Sequence, residues 1–290
     1  MSSQRALRLV KGVAGLVSLP EVCLKVNALI NDPSCSAKRL GAVIGQDPAL
    51  TTRLLRIANS PYFGLRARVD TVSRAVTVLG IRELQFLVLA TSVTRSFDRL
   101  PNTLIDMDAF WRHSIYCAVV ARLVARRCHV LHHERLFVAG LLHDIGLLIM
   151  FNKIPELCRV MISRSSRQDL TLVEAERDVF DIDHAEVGRE LLMLWQLPPS
   201  LAEAVGCHHR LEQAADSLLD AAIVHIADGV APPLFGTDST IQEGLPINDF
   251  ALEIVGVGRD ELPEIKMEAE QHFAEIARFI MPEKYEKTAC

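Results

Sequence analysis

Aromatic residues are scarce in this 290-residue chain: two Trp, three Tyr and eleven Phe. So few rings leave little for a nucleic-acid surface, which stacks bases on exposed aromatic side chains. The seven cysteines show no paired spacing. Free thiols in a reducing compartment, hence a cytoplasmic protein, are the expectation. No run is long and apolar enough to suggest a membrane span. The most apolar window, residues 137–151, is broken by His143 and Asp144 and falls short of the roughly 20 residues a bilayer requires. The N-terminus lacks a basic segment followed by an apolar run and a small-residue cleavage site, so no secretory signal is expected. No stretch alternates apolar and polar residues for long enough to require a strand, and neither a repeat nor a low-complexity tract is visible.

What is present is the composition of a globular protein, 50% apolar and 23% charged, which excludes a disordered or collagen-like chain. Its length favours two structural units. Charge is unevenly divided. Residues 1–105 hold 14 Lys and Arg against 6 Asp and Glu, a balance of +8, whereas residues 106–290 hold 17 against 30, a balance of −13. A basic first third can attract an acidic partner, nucleic acid or the acidic remainder of its own chain; without interleaved aromatics the last is favoured. Arg53 and Arg56 share a helix face, with Arg66, Arg68 and Arg74 beyond the Asn59-Ser60-Pro61-Tyr62-Phe63-Gly64 turn. They form a candidate docking surface whose plainer reading is a solvated face.

Apolar spacing reads as helix almost everywhere, so the fold class is all-α. Leu262, Ile265, Ala269, Phe273, Ile276 and Ile280 form one amphipathic stripe, with Asp260 placed to cap it and Pro263 in its first turn. Asp47-Pro48 starts a helix carrying Leu50, Leu54, Leu55 and Ala58, and Asn59-Ser60-Pro61 stops it. Two packed helical lobes are expected: an N-terminal lobe over 1–105, a helical bundle over 106–232, and a long loop with C-terminal helices packing on that bundle over 233–290.

The chemistry concentrates in Gly140-Leu141-Leu142-His143-Asp144-Ile145-Gly146. A histidine and a carboxylate side by side in the most apolar helix are costly to bury without partners, about 1–3 kcal/mol for an unpaired polar group and more for a charge. Successive helix positions point about 100° apart, so the pair can flank one centre. His113, His184, the His208-His209 doublet and Asp228 lie on other expected helices. Only one of the doublet is expected to face inward. Together with His143 and Asp144 these groups can line a mixed nitrogen and oxygen cavity for one or two divalent ions, which could ionise a water and brace a phosphate. His225 is expected to pack or to support that cavity from behind, His272 to be solvated, and the Cys128–His133 tract to be a turn without zinc.

The order His113, His143-Asp144, Asp228 resembles that of HD-superfamily metal-dependent phosphohydrolases. The additional His184 and His208-His209 are similar to the longer set of HD-GYP cyclic di-GMP phosphodiesterases. Leu19-Pro20-Glu21-Val22, Gln46-Asp47-Pro48-Ala49-Leu50-Thr51, Leu54-Leu55-Arg56-Ile57-Ala58-Asn59-Ser60-Pro61, Ala75-Val76-Thr77-Val78-Leu79-Gly80 and Trp195-Gln196-Leu197-Pro198 resemble the signature of the HD-related output domain, HDOD, over roughly residues 13–230. That resemblance implies a bacterial, all-helical regulatory protein of signal transduction, with an HD-like second lobe and a non-catalytic site. It implies a protein partner and a possible nucleotide ligand; scarce aromatics and the lack of a membrane span leave nucleic acid and membrane as unexpected partners, with a nucleic-acid-binding adaptor using the basic first lobe as a third, weaker reading. The seven residues named above would hold one or two divalent transition ions (Fe, Mn, Ni or Zn). The alternative is a metal-dependent phosphohydrolase or phosphodiesterase acting on cyclic di-GMP or another nucleotide, with His143 and Asp144 at its catalytic centre. Three departures weigh against the enzyme. Leu147 stands where the HD-GYP pattern has lysine, Arg210 stands where an acidic residue often follows the doublet, and Leu211-Glu212-Gln213-Ala214 replaces the glycine-tyrosine-proline loop.

Overall fold

The computed structural model describes residues 2–13, 15–65, 67–97, 100, 102–168, 170–234 and 246–281, and these contain no strand. In chain order the helices are α1 (Ser2–Val13), α2 (Glu21–Ile30), α3 (Ala37–Ile44), α4 (Pro48–Ala58), α5 (Val72–Leu79), α6 (Ile81–Phe97), α7 (Met107–Arg127) and α8 (Glu134–Leu142). They continue with α9 (Ile145–Lys153), α10 (Pro155–Gln168), α11 (Leu172–Phe180), α12 (His184–Leu194), α13 (Pro199–Cys207), α14 (Leu218–Val230), α15 (Asp249–Val255) and α16 (Leu262–Ile280). Asp260 lies in a short 3-10 turn, Arg259–Glu261, that leads into α16.

The chain forms two compact units. One is Ser18–Arg99 with Glu270 onward; the other is Met1–Val17 with Leu100–Ala269. Where the sequence suggests one crossing near residue 105, the chain crosses after Val17, after Arg99 and after Ala269. Most of the long loop expected over 232–248 lies outside the described residues, as does Arg66 of the candidate docking surface.

The Ser18–Arg99 unit is built from short helices closed by local rules. Asp47 accepts from Leu50 N at 2.9 Å and Pro48 opens α4. Ser36 and Thr71 cap α3 and α5 in the same manner. At the far end of α4 the Asn59 amide donates to Leu55 O (2.7 Å) and Val69 O (2.8 Å) and accepts from Val69 N (2.8 Å). One side chain thereby ends the helix and pins the loop after it. Gly80, at φ 96°, turns the chain into α6, which is buried on every face from Glu83 to Thr94 as a core helix must be. Arg53 is buried rather than presented on a docking face, and Tyr62 is buried as well. His272 is not fully solvated: its ring lies 5.1 Å from that of Tyr62, centre to centre.

In the other unit α8 and α9 form the centre. Residues 134–153 are apolar and long enough to cross a membrane by length and composition alone, but 89% of that window is buried inside the protein. Two glycines set the spacing. A Cβ on Gly140 would stand 2.7 Å from Cys117 O and 2.9 Å from the Ala118 Cα, so α8 crosses α7 backbone to backbone. A Cβ on Gly146 would overlap the His184 carbonyl and sit 2.8 Å from Gly188 N, so α9 meets α12 equally closely. The N-terminal segment joins this unit, with α1 against α9 and α12 and Val17 O accepting from Trp195 Nε1 at 3.3 Å.

Candidate metal centre

The expected single helix over 137–151 is two. α8 ends at Leu142, α9 begins at Ile145, and His143 and Asp144 occupy the break. The break has a local cause. His143 Nδ1 meets Gly140 O at 2.8 Å, the carbonyl that the Asp144 amide would use if the helix continued. Asp144 settles near φ −95°, ψ 5°, the sparsely populated bridge region. The same device ends α13, where His208 Nδ1 meets Val205 O at 2.6 Å.

Four of the five imidazoles of the cavity follow one rule. His113 Nδ1 lies 2.8 Å from Pro232 O, His143 Nδ1 from Gly140 O as above, His184 Nδ1 2.8 Å from Glu176 Oε2, and His208 Nδ1 against Val205 O. Each ring is anchored through Nδ1 to an oxygen, which fixes the tautomer and leaves Nε2 for the interior. His113 and His143 bring their Nε2 atoms to 3.3 Å, and His184 and His209 theirs to 3.1 Å. His208 Nε2 is buried with no hydrogen-bond partner.

Two carboxylates join these nitrogens. Asp144 Oδ2 lies 3.5 Å from His113 Nε2 and 3.4 Å from His143 Nε2, while its Oδ1 lies 3.0 Å from His184 Nε2. Asp228, on α14, repeats the division. Its Oδ1 lies 3.4 Å from His113 and 3.5 Å from His143, and its Oδ2 lies 3.9 Å from His209. The structure therefore brings all seven residues named from the sequence to one place, in two groups. His113, His143 and Asp228 form one group with Cys117; Asp144, His184, His208 and His209 form the other. Of the doublet only one ring is expected to face inward, but both do: His208 keeps near-helical angles (φ −63°, ψ −20°) as the cap of α13, and His209 Nε2 meets His184 Nε2 at 3.1 Å.

Burial and charge set the protonation. Burial opposes a proton on His113, but Cys117, Asp228 and Asp144 outweigh it and hold the imidazole well above its ordinary value. The same contest, with Glu176 and Asp144 on the winning side, raises His184. Burial, then the neighbouring His143 and His184, pushes His208 down to about 3. Burial and His208 likewise push His209 down. Asp144 and Asp228 stay ionised, their burial overcome by the surrounding imidazoles. Two carboxylates, two neutral rings and an orphaned buried nitrogen are what a divalent cation would satisfy.

Cys117 and Glu176 are missed by the sequence reading. Cys117 stands one turn after His113 on the same face of α7, a His-x-x-x-Cys spacing that an otherwise apolar helix conceals. Glu176 is fully buried, accepting from His184 N at 2.9 Å as well as meeting its ring. Around the outer edge, Asp183 caps α12 and pairs with Arg177 (2.8 Å) and Arg210 (3.3 Å), and Arg210 also pairs with Glu186 (3.0 Å). His225 Nδ1 supports the doublet from behind at His208 O, 2.9 Å away. Leu147 is wholly buried.

The sequence matches the HDOD domain family model over residues 16–211. A protein of Treponema pallidum (strain Nichols), itself uncharacterised, is 27% identical over 200 residues, 68% of this chain but 38% of that relative's own length. Two solved structures share the fold. A candidate signal transduction protein from Marinobacter aquaeolei VT8 has a TM-score of 0.69 at 19% identity, covering 96% of this chain and 65% of its own. A candidate phosphohydrolase from Shewanella amazonensis SB2B has a TM-score of 0.66 at 22% identity, covering 94% and 97%.

Proposed function

The chain belongs to the HDOD family, and from that premise we propose that it is a regulatory output module whose buried histidine–aspartate cavity holds one or two divalent transition ions without turning over a phosphodiester. The observation that carries this reading is the common anchoring of His113, His143, His184 and His208, each held through Nδ1 by an oxygen. Metal-binding histidines are oriented in this manner. His113, His143 and Asp228 would hold one ion and Asp144, His184, His208 and His209 the other. Such ions supply Lewis acidity, charge for phosphate oxygens and acidification of water.

Against turnover stands the cation inventory. Arg177 and Arg210, the guanidiniums beside the cavity, are engaged by Asp183 and Glu186. Leu147 offers an apolar side chain where a phosphodiesterase of the HD-GYP type carries lysine, so phosphate charge developing there would lack compensation. The module would act in a bacterial cytoplasm through a protein partner, with a nucleotide as a candidate ligand; the six cysteines among the described residues are unbridged, which accords with a reducing compartment.

The second reading, a metal-dependent phosphohydrolase, is favoured by one feature: Asp144 and Asp228 each divide their oxygens between the two donor groups, the arrangement expected of a two-ion site. One preparation decides between them. Protein purified without chelator is assayed for metal and for hydrolysis of cyclic di-GMP and of a generic phosphodiester. Bound metal without hydrolysis supports the regulatory reading, and hydrolysis abolished by His143→Ala establishes the enzyme. Metal content unchanged in both His143→Ala and Asp144→Ala removes the cavity from either account.

A further inference from the structure

We propose that Cys117 is a sulfur ligand of the ion held by His113, His143 and Asp228, so that the two positions of the centre differ in kind, one thiophilic and one built from nitrogen and oxygen alone. The inference rests on the reading of the cavity as a metal centre. It goes beyond that reading because Cys117 is no part of the motifs that carry the family resemblance.

The distances are the argument. Cys117 is wholly buried, and its Sγ lies 3.6 Å from His113 Nε2 and 3.9 Å from His143 Nε2. The two nitrogens are 3.3 Å apart, and Asp228 Oδ1 lies 3.4 and 3.5 Å from them. Around a tetrahedral ion with bonds of about 2.1 Å to nitrogen or oxygen and about 2.3 Å to sulfur, donor atoms stand about 3.4 Å apart for N–N and N–O and about 3.6 Å apart for N–S. Every measured edge falls at or within a few tenths of an ångström of those values. The sulfur edges are the longer ones, as the longer bond to sulfur requires.

The fold holds the sulfur in place. Cys117 follows His113 by four residues and so lies over it on one face of α7. The Gly140 crossing presses its backbone against the end of α8, three residues before His143. Neither partner could move away without opening a glycine contact. Binding would replace the S–H bond by a sulfur–metal bond, with the proton leaving to solvent. A thiolate in the set selects zinc, ferrous iron or cobalt over magnesium and manganese. The other position, with Asp144 Oδ1 and His209 Nε2 at 3.0 and 3.1 Å from His184 Nε2, has no sulfur to impose that choice.

Cobalt(II) loading of the full chain tests this by a readout independent of activity. The wild type is expected to show a near-ultraviolet sulfur-to-cobalt charge-transfer band. Cys117→Ser and Cys117→Ala are expected to lose that band while still binding cobalt. Wild-type protein that takes up cobalt without the band overturns the sulfur assignment and leaves the metal centre standing. Retention of the band in a folded Cys117 variant overturns it equally, since another thiol would be responsible. A wild type that binds no cobalt overturns the metal-centre reading, and this inference with it.

Discussion

Both units cap helices with short polar side chains, but in the later one two helix ends also aim candidate ligands. In the Ser18–Arg99 unit they start on Ser36, Asp47 and Thr71 and stop on Asn59 and Gly80, residues whose side chains or backbone freedom serve the helix. In the other unit α8 and α13 stop on His143 and His208, which take carbonyls of their own last turns and thereby orient their rings. The first arrangement carries none of the seven cavity groups. In the second, the residue that ends the helix also aims a ligand: His143 and His208 keep near-helical backbone angles while their Nδ1 atoms take carbonyls of the last turn.

That contrast can be broken most severely at Gly146. Gly146→Ala would drive a methyl group into the His184 carbonyl, and an expected loss of about 3 kcal/mol or more would appear in chemical denaturation together with lost metal. Gly12→Ala should be far milder, since the nearest atoms to its new methyl belong to the far end of the flexible Lys153 side chain, 3.1 Å away and beyond. If the two variants are equally stable, the close crossing of α9 and α12 does not hold the site. Next in size, Glu176→Gln keeps the shape but weakens the anchor of His184, and a fall of about 10–100-fold in metal affinity is expected by titration. Affinity unchanged by this substitution would mean that the ring does not bind an ion.

Proton release sharpens the comparison further. His113 and His184 are held above their ordinary value of 6.5, so near neutral pH they carry protons that a metal must displace. Apparent metal affinity should therefore rise with pH through and above that value, and calorimetry in buffers of different ionisation enthalpy should detect the protons released. Affinity independent of pH would contradict the assignment. The smallest effect belongs to the other unit. Asp47→Ala removes the cap on Leu50 N and should cost about 1 kcal/mol with metal content untouched.

Much of this was open to reading from the chain. Asp47-Pro48 and Asn59-Ser60-Pro61 mark a helix because capping and proline chemistry act within a few residues. The seven cavity groups stand out because titratable side chains in apolar helices demand an explanation. The break at His143–Asp144 was not legible, because its cause is a side-chain nitrogen outcompeting a backbone amide, which leaves no trace in hydropathy. Nor does adjacency in the sequence show that both rings of the doublet turn inward. Cys117 passes for a small apolar residue among Ile115, Ala118 and Val119, and Glu176 is hidden in the charged run Glu174–Asp178. The joining of residues 1–17 to the later unit depends on contacts with α9 and α12 far away in sequence.

The central claim is that anchored imidazoles and divided carboxylates form a metal centre with two positions. Elemental analysis of chelator-free wild type beside Asp144→Asn tests it most directly. The account predicts about one to two equivalents of transition metal per chain, falling sharply when Asp144, one of the two carboxylates that touch both groups, becomes an amide. Wild-type protein that is metal-free after exposure to iron, manganese, nickel and zinc would contradict it.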